Sequence, residues 1–378
     1  MQRSETSLKK GGHELKHIPI SQPVIGEEEI KAVVEVLRSG RLSQGDRVAT
    51  FEEKFAQYVG TEYAIAVNSG TSALHVALSS LGIGKGDEVI TTTFSFVSTA
   101  SCILMQGAKP VFVDIDPKTY NIEPSQIEHR ITERTKAIIP VHLYGQPCEI
   151  NKIINVAEKY NLWVIEDCAQ ALGAEYHGKK VGTFGDVACF SFYPTKSITT
   201  GEGGMIVTND ERIAERARMI RNHGQRVKYI HEILGYNYRM TDIAAAIGIV
   251  QLEKLEGFIQ KRISNAEYYN KNLKIKGKTF VANNVRHVFN LYTIRVRNRE
   301  GLIEHLKRND IGYGIYYPIP LHRQPKFMRF CRRSLPEAER ACGEVLSIPM
   351  HPTLTEEQLK RVCDVINEWM EVNDIRHA

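Results

Sequence analysis

The stretch "YAIAVNSGTSALHVALSSL", residues 63–81, decides the fold. A short run that is apolar at every position leads through Asn-Ser-Gly straight into a segment of helical period. A strand with no polar face must be covered on both sides, the condition of a parallel sheet sandwiched between helices. The same alternation continues outward through "DEVITTT" and "FVSTASCILMQ", "KPVFVDI", "TKAIIPVHL", then "INKIINVAEKY" and "LWVIED". This predicts an α/β architecture with a mostly parallel sheet. Two further runs, "DVACFSF" (186–192) and "GGMIVT" (203–208), flank "YPTKSITTGE" closely enough to be sheet neighbours. Helices follow over about 210–222 and 241–272.

Beyond residue 280 the pattern changes to "FNLYTIRV", a helix over 300–309, the extended-looking "YGIYYPIP", and helical segments over 335–345 and 355–371. With 378 residues the chain exceeds the size at which one core keeps growing. We expect a polar N-terminal extension (1–17), a large domain (18–272) and a small C-terminal α+β domain (273–378), with the helix in "GEEEIKAVVEVLRSG" (26–40) completing the small one.

A hydrophobic content of 42% and a charged content of 25% are those of an ordinary globular protein. The formal charge of +5 is too mild for a nucleic-acid binder, although "HRQPKFMRFCRRS" (322–334) is locally basic. The seven cysteines form no CxxC pair and mostly sit in apolar segments, as reduced core residues of a cytoplasmic protein do. No run of 18 apolar residues occurs, and "MQRSETSLKKGGHELKH" lacks the apolar stretch of a secretory signal. Neither a membrane nor a nucleic acid is expected as a partner.

Three positions carry chemistry. The helix that opens after Val67 presents free N–H groups and a positive dipole end, so Gly70, Thr71 and Ser72 form a candidate phosphate cradle; an ordinary Ser/Thr cap is the alternative. Asp167 ends an otherwise apolar run, where open α/β sheets meet ligands, or else it caps the next helix. Gln170 follows three residues later. Lys196 sits among hydroxyls and glycines after a buried strand, and lysine is seldom buried without a purpose. No metal is expected: "FVDIDP" reads as a Pro-containing turn, and His142, His223 and His322 lack zinc-site spacing. "GEGG" (201–204) fits neither nucleotide-loop pattern. A lysine, a phosphate cradle and an aspartate on successive strand ends fit pyridoxal 5′-phosphate (PLP), which needs an amine for its aldehyde, a nest for its phosphate and an anion for its pyridine nitrogen.

Over residues 18–372 the sequence resembles the DegT/DnrJ/EryC1/StrS family of sugar-nucleotide aminotransferases on the fold-type I scaffold. The matching pieces include "LSQGDRVATFEEKFAQYVG", "AVNSGTSALHVAL", "GDEVITTTFSFVSTA", "PVFVDIDPKTYNI", "VIEDCAQALGA", "GDVACFSFYPTKSITTGEGGMI", "LGYNYRMTDIAAAIG" and "YYPIPLHRQP". The resemblance implies that Lys196 forms a Schiff base with PLP and shuttles a proton, that Asp167 pairs with the pyridinium, and that Gln170 contacts the ring hydroxyl. It implies that Gly70, Thr71 and Ser191 bind the phosphate, and that Phe96 stacks on the ring. Asn237 resembles the residue that reaches the phosphate from a neighbouring subunit, which implies a homodimer with shared sites. Tyr317 and His322 match positions near the sugar nucleotide.

The implied reaction moves an amino group from L-glutamate or glutamine, through the pyridoxamine form, to a 3- or 4-keto-6-deoxy sugar nucleotide. The product is an amino sugar for surface polysaccharide or glycoconjugate. Asp46 stands where the family commonly has proline, near the substrate. Alternatives are a keto-cyclitol substrate or a PLP-binding regulatory protein without turnover. Related dehydratases replace the lysine with histidine, against which Lys196 argues.

Overall fold

The computed structural model describes residues 16–374. The N-terminal extension lies outside these, save for Lys16 and His17, whose ring meets Asp310 at 2.8 Å. Seven strands build the large sheet: β1 (Tyr63–Val67), β2 (Glu88–Thr92), β3 (Lys109–Val113), β4 (Thr135–Ile139), β5 (Trp163–Asp167), β6 (Val187–Ser191) and β7 (Gly204–Thr208). Their order is β1-β7-β6-β5-β4-β2-β3, and β7 alone runs against its neighbours.

The helices are α1 (Glu27–Ser39), α2 (Asp46–Val59), α3 (Gly70–Ser80), α4 (Val97–Met105), α5 (Ile150–Tyr160), α6 (Glu211–Arg221) and α7 (Asp242–Asn272), then α8 (Arg299–Arg308), α9 (Pro336–Glu344) and α10 (Glu356–Asp374). Strand alternation sorts the two faces. Ala64, Ala66, Ala188 and Phe190 pack with α2 and α7, while Ile65, Val67 and Cys189 pack with α3 and α6. Both faces are apolar because both are covered.

Helix α7 joins two cores. Ala245, Leu252, Leu255 and Ile259 belong to the large one, whereas Ala266 and Tyr269 belong to a second core around β8 (Tyr292–Arg295), β9 (Val345–Ile348), α8 and α10. Ile18 is buried in that second core and bridges Ile311. The first helix does not complete the small domain as expected. It packs on the large-core half of α7, where Lys254 pairs with Glu28 and Glu29 and the Gln251 amide donates to Glu29. The segment "YGIYYPIP" is not a strand either, because Pro318 and Pro320 lack the N–H that a ladder needs. Only Gly314 in it bridges a strand, through Ser347. The sheet position beside β8 is filled by β9, "VLSI", at the end of a segment expected to be helical.

Among the described residues, no helix is long and apolar enough to cross a membrane. Helices α2 and α7 pack closely, and a Cβ at Gly248 would lie 2.7 Å from Phe51 Cζ. Phe51 is fully buried and cannot retreat. Gly248→Val should therefore lower unfolding free energy by about 2–3 kcal/mol, read as a lower urea midpoint with an unchanged slope.

Candidate active site

Because β7 is the only reversed strand, the carboxyl ends of β1, β2, β5 and β6 lie on one edge of the sheet. The chain there turns into α3, into α4, through Asp167, and into the Lys196 loop. This edge is where an open α/β sheet receives ligands.

At the β1 end, Ser69 caps α3 by accepting from the Ser72 N–H at 3.0 Å. The N–H groups of Gly70 and Thr71 have no acceptor among the described residues. Thr71 Oγ1 is 2.8 Å from Ser98 Oγ on α4. A Cβ at Gly70 would fall 2.7 Å from Ser191 Cβ at the β6 end, so only glycine lets these two turns close together. Two free amides with the Thr71, Ser98 and Ser191 hydroxyls make a cradle suited to a phosphate.

Asp167 is buried, and among the described residues its carboxylate accepts only twice: from Thr99 Oγ1 at 2.8 Å and from the Ala169 N–H at 3.2 Å. Burial pushes its pKa up, against those two bonds and the charge of Lys196. The loop carrying Lys196 is tied by its own hydroxyls, which explains their abundance: Thr199 Oγ1 donates to the Phe192 carbonyl at 2.9 Å and Thr200 Oγ1 to that of Glu202 at 2.7 Å. Lys196 is half-buried by surface area, but protein crowds its ammonium. Loss of hydration lowers its pKa to about 8, although the negative charge of Asp167 acts the other way. Among the described residues it has no ion-pair partner.

Gln170 is fixed at both ends, accepting from the Tyr144 N–H at 2.9 Å and donating to Tyr317 Oη at 3.0 Å. The exposed Phe96 ring, at the N-cap of α4, lies 6.3 Å from the Tyr317 ring. Lys196, Asp167, Gln170, Gly70, Thr71, Ser191, Phe96 and Tyr317 thus gather at one edge of the sheet. His322 is a correction. It is fully buried with both ring nitrogens taken, by Thr93 Oγ1 at 2.6 Å and by Glu339 at 2.9 Å, which leaves no face for a ligand. Asn237 is exposed, and its side chain bonds to nothing among the described residues. Ser98 and Thr99 were missed, although "FVSTA" carries both hydroxyls; only the fold shows which way they face.

A free-amide cradle, a desolvated amine and an under-bonded buried carboxylate fit the phosphate, aldehyde and pyridine nitrogen of PLP. The family model for the DegT/DnrJ/EryC1/StrS aminotransferases matches residues 23–367. The chain belongs to this family. It is 46% identical over 350 residues to a "Pleiotropic regulatory protein" of Geobacillus stearothermophilus, covering 90% of this chain and 94% of that protein. It is 42% identical over 365 residues to GDP-perosamine synthase of Escherichia coli O157:H7, covering 94% and 99%. The crystal structure of S. venezuelae DesV in complex with a ketimine intermediate superposes with a TM-score of 0.90 at 37% identity, covering 94% of this chain and 99% of that one. The fold is that of the fold-type I sugar aminotransferases, and the family is PLP-dependent, with solved PLP and PMP forms.

A lysine whose pKa is about 8 is neutral above that pH and charged below it, unlike exposed lysines near 10.4. Reductive ¹³C-methylation of the cofactor-free protein followed by an NMR titration should show one lysine signal with a midpoint about two units below the rest. That signal should be missing from Lys196→Met; a full set of lysines titrating together contradicts the desolvated amine.

Proposed function

We propose that this family member uses PLP to move the amino group of L-glutamate, or of glutamine, onto a 3- or 4-keto-6-deoxy sugar nucleotide, supplying an amino sugar for surface polysaccharide or glycoconjugate. The observation that carries the reading is that Lys196 and the buried Asp167 stand at one sheet edge, near enough for each charge to act on the other, with the free amides of Gly70 and Thr71 beside them. When bound, PLP supplies an aldehyde that carries the amino group and a ring that holds the electron pair released at the α-carbon.

The chain's own residues do the rest. Free N–H groups of Gly70 and Thr71, with Ser191, hold the phosphate. Asp167, short of hydrogen bonds, holds a proton on the ring nitrogen. Lys196, which gives up its proton more readily than an exposed lysine because its pKa is lowered to about 8, would be the covalent anchor and then the base that takes the α-proton of the donor and returns it on the other side of the transfer. Gln170 would contact the ring hydroxyl, Phe96 would stack on the ring, and Tyr317 would meet the sugar nucleotide.

Lys196→Ala should lower single-turnover transfer from L-glutamate by at least about 100-fold, the usual worth of a positioned acid–base group. Borohydride treatment of the PLP-loaded wild type, followed by peptide mapping, should place the label on Lys196 alone. A panel of UDP-, GDP- and dTDP-linked keto-sugars then identifies the acceptor. The name of the Geobacillus relative favours a second reading, a regulatory protein that holds PLP without turnover. L-Glutamate should bleach the visible PLP band under the first reading and leave it unchanged under the second.

We further infer a homodimer in which Asn237 serves the partner's phosphate site. Support comes from the ribbon 225–231 and the loop after it, which hold Val227, Tyr229, Ile230 and Leu234 out to solvent, with Tyr229 79% and Leu234 77% exposed. Apolar side chains clustered in this way mark an interaction surface. Native mass spectrometry should give a dimer, and Tyr229→Glu with Leu234→Glu should give monomers that hold PLP more weakly. A cytoplasmic location is consistent with seven free thiols, six of them buried.

A further inference from the structure

Two carboxylates stand side by side at the end of β5, and the chemistry above uses only Asp167. Glu166 is fully buried too, and strand alternation turns it to the opposite face. It takes four donors: His142 Nε2 at 2.9 Å, and the N–H groups of Gly182 at 2.9 Å, Phe184 at 2.9 Å and Gly185 at 2.8 Å. Burial pushes its pKa up, but the bond to His142 and the amides outweigh that and hold it below the ordinary glutamate value. Glu166 is ionised.

The histidine tautomer follows from the backbone. The Cys148 N–H donates to His142 Nδ1 at 2.9 Å, and an amide can only donate, so the ring proton sits on Nε2 and points at Glu166. His142, Glu166 and Cys168 place ligand-type atoms within 4.8 Å of one another, as a metal site does. The lone pairs of His142 and Glu166 are already committed, to the Cys148 N–H and to the four donors, and burial drives the Cys168 thiol well above its ordinary pKa, so the imidazole and the carboxylate bond each other instead of offering a ligand set. The approach of the 182–185 loop depends on glycine, since a Cβ at Gly185 would fall 2.7 Å from the Val164 carbonyl oxygen.

This network grips Asp167. The His142 N–H donates to the Asp167 carbonyl at 3.1 Å, and the Asp167 N–H donates to that of Pro140 at 2.9 Å. His142 therefore holds residue 167 through its backbone and residue 166 through its ring. Burial first, and then the charges of both carboxylates, raise the pKa of the Cys148 and Cys168 thiols, so both carboxylates reach the same two groups. We propose that Glu166 and His142 are a positioning pair that sets the place of Asp167 against the nitrogen of a bound pyridine ring. The proposal rests on the PLP reading above and assigns it two residues outside the contact shell.

Calorimetric titration with PMP, which binds without a covalent link to Lys196, tests it. Glu166→Gln should raise the Kd about tenfold, the lower end of what an outer-shell partner contributes. In an Asp167→Asn background the same substitution should change the Kd by less than about twofold, because the group it acts through is already lost. Equal factors in both backgrounds, or an unchanged Kd in the first, overturn the pair even if the melting temperature falls. Should Glu166→Gln not fold, His142→Gln is read by the same cycle. Wild-type protein that takes up no PMP sinks the cofactor reading itself, whereas wild-type uptake with additive losses sinks only the positioning pair.

Discussion

A carboxylate sealed inside a protein with two hydrogen bonds is short of solvation, and Asp167 is held in that state. A neighbouring positive charge stabilises its ionised form, and the charge at hand is the ammonium of Lys196; a bound pyridine ring would bring a second one on its nitrogen. Burial works on the two side chains in opposite directions, lifting the pKa of Asp167 and lowering that of Lys196 to about 8. Each group is thereby drawn toward its neutral form while still feeling the other. A ring cation between them would relieve the carboxylate and free the amine to act as nucleophile and base, so the division of labour between the two residues follows from desolvation.

That arrangement needs a rigid floor, which the sheet edge supplies. Four strand ends converge because a single strand, β7, is reversed and the others run together. The contacts at the edge are steric as well as polar: Gly70 meets Ser191, and Gly204 lies so close to Ser69 that a Cβ there would be 2.3 Å from its carbonyl oxygen. The candidate cradle is thus set by backbone packing, and its free donors are amides that cannot rotate away. Pre-set donors of this kind avoid the entropy that flexible lysines or arginines would lose on binding.

The repetition of apolar runs and helical segments from residue 62 made the sheet and its covering helices legible, and α6 and α7 fall within a residue or so of where periodicity puts them. Lys196, Asp167 and Gly70 could be found because each breaks the composition around it. The small domain was harder to read. "VLSI" is too short to separate from the helix before it, and "YGIYYPIP" has strand-like residues but prolines where ladder donors belong. Least legible were the buried polar networks. Nothing local marks His322 as a staple between Thr93 and Glu339, or Glu166 as the partner of His142, since those bonds join positions 229, 17 and 24 residues apart. Such partners are chosen by the fold, after the strands are in place.

The staple at His322 fixes how the segment with Tyr317 meets the sheet. Thr93 leads into the loop that carries Phe96, and Leu321 donates to the Thr93 carbonyl at 2.8 Å, so the segment with Tyr317 is tied to the β2 end by backbone and side chain alike. Burial raises the pKa of Glu339, but its bonds to His322, Ser334 and Arg323 outweigh this and hold it down to about 2. It therefore stays anionic and keeps the start and end of the basic loop together. The candidate cofactor residues Gly70, Thr71, Asp167, Ser191 and Lys196 stand at strand ends of the large sheet or in the loops beside them. Tyr316 and Tyr317 pack instead at a junction with Tyr144 and α9. The bonds that fix the Tyr317 segment are thus other than those that fix Asp167 and the Lys196 loop, and the Gln170 amide on Tyr317 Oη joins the two sets.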